Sequence, residues 1–109
     1  MSEIEKLTDV IINFRNERDW AQFHNAKDLA MAISIEAGEL LEAFLWKAPN
    51  DAKTEKIEEE LADIMIFTLL LAHEKGIDLN QAIQNKLAKN KLKYPVEKSK
   101  GSAKKYDEL

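Results

Sequence analysis

The stretch IEAGELLEAFLW, residues 35–46, is apolar on nearly every side of a helix, yet it carries Glu36, Glu39 and Glu42. Asn25 is placed to cap this helix, which the spacing extends to about Trp46, where KAPND stops it because Pro49 disfavours helical geometry at Ala48. Leu29, Ile33, Ala37, Leu40 and Phe44 share one face. Ala32, Ile35, Ala43 and Trp46 surround Glu36 and Glu39 on another. A helix apolar on two sides is expected to be buried by its own bundle on one and by a second subunit on the other.

The rest of the chain is helical by the same criteria. Ile4, Leu7, Val10, Ile11 and Phe14 mark a first helix that fades at RNERDWAQFHN, expected to be a functional loop. After KAPND, Thr54 is a plausible cap for a third long helix, with Glu55, Glu58 and Glu59 facing the positive end of its dipole and Gly76 placed to end it. DLNQ then reads as a capping-box variant, Asp78 at the N-cap and Gln81 three residues on. It opens a fourth helix with Leu79, Ile83 and Leu87 on one face, ended by KYP. Four helices joined by short connections, with no strand-like alternation, predict an all-α, antiparallel four-helix bundle over residues 1–95. VEKSKGSAKKYDEL, residues 96–109, has no apolar period and is expected to be a mobile tail.

Composition narrows the function classes. With 20 acidic against 16 basic residues and no basic stripe among aromatics, the chain is not expected to bind a nucleic-acid polymer. No cysteine means no disulfide, thiolate metal site or thiol nucleophile. The longest apolar run, about residues 64–72, is too short to span a bilayer, and the first residues lack the features of a signal peptide, so a cytoplasmic location is expected.

The third helix carries the sharper chemical signal. Ile57, Glu60, Ile64, Phe67 and Leu71 follow helical spacing, which places Glu60 in the inward stripe with Asp63 beside it. Isolated carboxylates cost several kcal/mol, roughly, to bury unless each is protonated or meets a cation. Two acid pairs at i, i+3 on facing helices create that problem four times over. A hard divalent cation resolves it, and Mg²⁺, with Mn²⁺ as a substitute, takes oxygen ligands and commonly bridges carboxylates to substrate phosphates. Ferritin-like di-iron sites want Glu-x-x-His, and neither His24 nor His73 stands in that spacing, which also removes zinc. Glu42, Glu55, Glu58 and Glu59 are read as solvated acids.

Glu36-x-x-Glu39 followed by Glu60-x-x-Asp63 resembles the paired acid motif of MazG-like nucleotide pyrophosphohydrolases. ERDWAQFHNAKDLAMAISIEAGELLEAFLWK, EELADIMIF and NKLAKNKLKYP are similar to the dCTP pyrophosphatase branch, so the likeness runs from about Phe14 to Pro95. The resemblance implies an oligomeric all-α enzyme, a homodimer or homotetramer, that splits a nucleoside triphosphate between its α and β phosphates. It implies Mg²⁺ held by Glu36, Glu39, Glu60 and Asp63 as the catalytic residues, and a base held among Trp20, His24 and Trp46. It also implies that Lys86 and Asn90 lie on the phosphate side, ranked above Lys91. Phe67 stands where relatives of that branch commonly have Tyr, and Asp28 where they commonly have Asn, so a hydroxyl contact to substrate is lost at Phe67. The expected function is house-cleaning of a pyrimidine deoxynucleotide, best dCTP or a modified dCTP. The rivals are a dUTPase-like all-α hydrolase and a non-catalytic helical dimerisation or adaptor module.

Overall fold

The computed structural model describes all 109 residues and contains helices and turns but no strand. Four long helices run in order, α1 Glu3–Glu17, α2 Ala26–Glu42, α3 Thr54–Glu74 and α4 Leu79–Lys93, followed by one turn of helix, α5 Val96–Ser99. They divide between two compact units, Met1–Ile77 and Asp78–Leu109, so the first unit packs three of the four expected helices. In it α3 is central, with α2 and α1 both against it.

Local chemistry sets most of the helix ends. Ser2 and Asn25 each accept a hydrogen bond from the backbone N–H three residues on, at 3.1 and 2.9 Å, and the Asn25 amide also donates to Asp28 at 2.8 Å. Asp78 caps α4 by accepting from the Gln81 N–H at 3.1 Å. At the end of α3 the Ile77 N–H donates to the Ala72 carbonyl at 2.8 Å and the Gly76 N–H to that of His73, a Schellman closure around Gly76 at φ 64°. Only glycine takes that backbone geometry without penalty, so Gly76→Ala is expected to lower stability by about 1 kcal/mol, read by urea denaturation.

Two ends differ from the sequence reading. Thr54 is the first helical residue of α3, and Lys53 precedes it as a cap without a side-chain hydrogen bond. α2 stops at Glu42, not near Trp46, because its last turn tightens. Phe44 and Leu45 bond back three residues, to Leu41 and Glu42, and Trp46 then takes φ 58°.

The core of the first unit forms where the stripes of α2 and α3 meet: Leu29, Ala43, Leu69, Leu70 and Ala72 are buried, Leu29 to 1% exposure. Leu29→Ala is expected to cost about 2–5 kcal/mol, because the cavity left at so closed a position collapses only in part. On α1 the inward side is Ile4, Thr8, Ile11, Ile12 and Arg15, rotated from the expected stripe, while Leu7, Val10 and Phe14 stay exposed. Of the second side expected on α2, Ile35 is exposed and Trp46 lies exposed beyond the helix, whereas Ala32 is half-buried and Ala43 is buried in the core; Leu41 and Leu45 are exposed as well. In the second unit Ile83 and Leu87 of α4 are also exposed. There Tyr106 lies edge-on to Tyr94 at 6.1 Å between ring centres, with the Lys93 ammonium 4.8 Å from the Tyr106 ring.

Candidate active site

Glu36 and Glu39 share a side of α2, Glu60 and Asp63 a side of α3, and the packing of α2 on α3 brings them together. Glu36 lies six residues before the end of α2 and Glu60 six after the start of α3, the register of an antiparallel hairpin. One carboxylate oxygen each from Glu36, Glu60 and Asp63 lies within 4.8 Å of the other two. Glu60 is only 3% exposed, in the inward slot that its spacing predicts. Its Oε1 accepts from the Lys56 ammonium at 2.8 Å, whereas Oε2 is buried with no partner. Glu36 Oε2 is likewise buried and unpartnered. Two orphaned anionic acceptors within a cluster of oxygen donors fit a hard divalent cation, which would satisfy both.

The electrostatics carry the same tension. Burial pushes the Glu36 carboxyl up to about 7 from an ordinary 4.5, and the nearness of the Glu60, Glu39 and Asp63 carboxylates adds to it. Glu60 moves the other way: its bond to Lys56 holds it ionised against its own desolvation. Glu39 is half-buried and lies outside the trio whose oxygens meet, although its charge acts on the same cluster. The acids read as solvated, Glu42, Glu55, Glu58 and Glu59, are all exposed.

The residues expected around the base are spread over the first unit. Trp20 is partly exposed and meets Phe14 edge-on at 5.8 Å. His24 is half-buried with Nδ1 unpartnered, and burial first, then the Arg15 charge, holds its imidazole below the ordinary range against an opposing pull from Glu74. Phe67 is half-buried on α3. Trp46 is 94% exposed, so almost none of its ring is covered within its own chain. Lys86 and Asn90 belong to α4 in the second unit. There Asn90 lines an open depression of about 460 Å³ with Gln84, Leu87, Ala88, Lys91 and Tyr94, so the lysine beside Asn90 in that depression is Lys91 rather than Lys86.

Two charged residues were not anticipated. Lys56 stands four residues before Glu60, a spacing visible in the sequence that gained meaning only once Glu60 proved buried. Arg15 is buried at the end of α1, where its guanidinium Nε donates to Asn16 at 3.2 Å, and only the rotated α1 stripe could have signalled it.

A family model described as the MazG-like family matches residues 31–109. Over 97% of its length the chain is 37% identical to dCTP pyrophosphatase 1 of Mus musculus and 38% identical to that of Bos taurus, covering 67% and 68% of those proteins. A crystal structure of a pyrophosphatase from Archaeoglobus fulgidus superposes with a TM-score of 0.80 at 37% identity, over 87% of this chain and 94% of that one.

Proposed function

We propose that this chain, which belongs to the MazG-like family and is an enzyme of the nucleotide pyrophosphatase kind, hydrolyses a nucleoside triphosphate between its α and β phosphates. The products are the monophosphate and pyrophosphate. The observation that carries the reading is the meeting of Glu36, Glu60 and Asp63 oxygens with two buried acceptors left unpaired. Glu36, Glu60 and Asp63 would hold Mg²⁺, or Mn²⁺ in its place, with Glu39 completing the set of four acids. When bound, the metal neutralises triphosphate charge and lowers the pKa of a coordinated water. A glutamate of this set not fully engaged as a ligand would accept the proton of the attacking water, and Glu39, outside the converging trio, is the candidate. Burial of Glu60 keeps bulk water from competing for its oxygens.

The substrate is a pyrimidine deoxynucleotide, dCTP or a modified dCTP first, in keeping with relatives named dCTP pyrophosphatase 1. Trp20 and Trp46 supply flat faces for stacking, and His24 supplies a polar edge that can discriminate among bases. Phe67 contributes contact without a hydroxyl. On the resemblance alone, Lys86 and Asn90 of the second unit are the candidates for contact with phosphate, as a point charge and a polar partner. The catalytic domain spans residues 1–95, with 96–109 as an appended tail. The exposed Ile35, Leu41, Leu45 and Trp46 in and just beyond α2 support assembly into a homodimer or homotetramer in which a second copy covers them. No helix is long and apolar enough to cross a membrane, and we place the enzyme in the cytoplasm for nucleotide-pool house-cleaning.

The test is a panel of dNTPs and NTPs with Mg²⁺, scored for pyrophosphate and monophosphate. The account expects dCTP or its 5-modified forms to give the highest kcat/KM. Preference for dUTP would favour the dUTPase-like alternative, and equal turnover of every base would end the pyrimidine assignment.

A further inference from the structure

Lys56 is the one cationic side chain with a nitrogen within 4.0 Å of any of the four acids, since the other ion pairs of the chain join Lys6 to Glu3, Arg18 to Glu17 and Lys27 to Asp28. Its ammonium touches Glu60 alone, at 2.8 Å, and Glu60 is the most buried of the acids. The two partners differ in freedom. The Glu60 side chain is 4% exposed, that of Lys56 47%, so the carboxylate is fixed and the ammonium is held at one end of a flexible stem that reaches solvent.

A buried carboxylate without a counter-charge is costly, so Lys56 stabilises the ionised Glu60 in the metal-free protein. Lys56 holds Oε1 of Glu60 and leaves Oε2 free to meet a divalent ion, and the same ammonium becomes a liability when that ion arrives on the other oxygen of one carboxylate. Two like charges sharing one carboxylate within a few ångströms repel strongly where water is scarce. The solvent-reaching stem gives the ammonium an exit that the fixed acids lack. We propose that the Lys56 ammonium is the resident counter-cation of this carboxylate cluster, and that a divalent ion binds by displacing it from Glu60.

This inference rests on the metal reading proposed above. Lys56 is on this account a positioning residue: it keeps Glu60 ionised and in place, then yields. The exchange lowers metal affinity, because binding includes breaking the Lys56–Glu60 contact. An ordinary structural contact would act in the opposite sense, since losing it would loosen a ligand and weaken the metal.

Mn²⁺ titration of the metal-free parent, Lys56→Gln and Glu36→Gln at pH 8, followed by electron paramagnetic resonance of the free ion, separates these cases. Lys56→Gln is expected to melt at a lower temperature without metal yet bind Mn²⁺ about tenfold more tightly, equivalent to about 1.4 kcal/mol. Unchanged or weaker binding by Lys56→Gln, with the parent binding and Glu36→Gln impaired, overturns the exchange and leaves the metal site standing. Failure of the parent itself to bind overturns the metal site and the exchange with it. Reductive methylation of the parent gives a second readout that needs no variant. Addition of Mg²⁺ is expected to raise labelling of Lys56 several-fold relative to the exposed Lys53, and no rise contradicts displacement.

Discussion

Glu36→Gln, Glu60→Gln and Asp63→Asn are each expected to lower kcat/KM for Mg²⁺-dependent pyrophosphate release by about 10³-fold or more, a loss of roughly 4 kcal/mol of transition-state stabilisation. Each substitution preserves shape and removes one anionic oxygen from the trio that meets within 4.8 Å. A neutral amide is a much poorer ligand for a hard cation than a carboxylate, and Glu39 lies outside the converging trio. The three changes should also be strongly non-additive, because the second finds the metal already lost. Lysine partnership makes Glu60→Gln informative in another way: it replaces the anionic acceptor of Lys56 with a neutral amide oxygen, so this variant alone should also loosen Lys56 and raise its chemical labelling. Steady-state assays on the purified variants, with circular dichroism to establish folding, check the series. Activity within tenfold of the parent for Asp63→Asn would remove Asp63 from the site.

The second large effect is on stability, and its sign follows from Glu36. Its folded-state pKa of about 7 lies above the ordinary 4.5, so between these values the folded chain holds a proton that the unfolded chain releases. Without metal, stability from this group is greatest below about pH 4.5 and falls as pH rises toward 7. Glu60 works in the reverse direction: held below its ordinary value by Lys56, it stabilises above pH 4.5, and that contribution is lost as pH falls through its folded-state value. Lys56 is itself held above its ordinary 10.5, so its share is lost only in more alkaline solution. The metal-free cluster therefore loses the Glu36 contribution as pH rises to about 7 and does not regain it above. Mg²⁺ is expected to remove that penalty, since the acids proposed to hold it would then all be ionised. At a hundred times its dissociation constant it adds about 2.7 kcal/mol, a rise in Tm of roughly 10–20 °C. Differential scanning fluorimetry from pH 5 to 8, with and without Mg²⁺, should show the metal-free Tm falling and the Mg²⁺-loaded Tm holding. Glu36→Gln should flatten the metal-free slope and abolish the Mg²⁺ response. A parent Tm indifferent to Mg²⁺ at pH 8 would favour the adaptor reading over the enzyme.

Much of this arrangement was legible from spacing. Glu60 falls in the stripe Ile57, Ile64, Phe67 and Leu71, and a charge in such a stripe must be buried with a partner or protonated. Asn25, Asp78 and Gly76 act through their own backbone neighbourhoods, which is why the helix boundaries they control could be read without a fold. The end of α2 could not, since nothing in Phe44, Leu45 and Trp46 opposes a helix, and the left-handed turn at Trp46 follows from how the chain crosses to α3. The α1 stripe misled for a related reason. Phe14 and Leu7 satisfied a hydrophobic period while the face turned inward carries Thr8 and Arg15, whose polar ends conceal their apolar stems from a count of hydrophobic residues. Ile83 and Leu87 show the remaining limit: an apolar stripe says that a helix will be covered, not by which partner.

Phosphorus NMR of dCTP turnover shows whether the Glu36, Glu60 and Asp63 cluster works on the α–β linkage of a triphosphate. With Mg²⁺, dCMP and pyrophosphate are expected in equal amounts, with neither product formed in its absence or by Glu36→Gln. Formation of dCDP and orthophosphate, or turnover that continues in excess chelator, would contradict it.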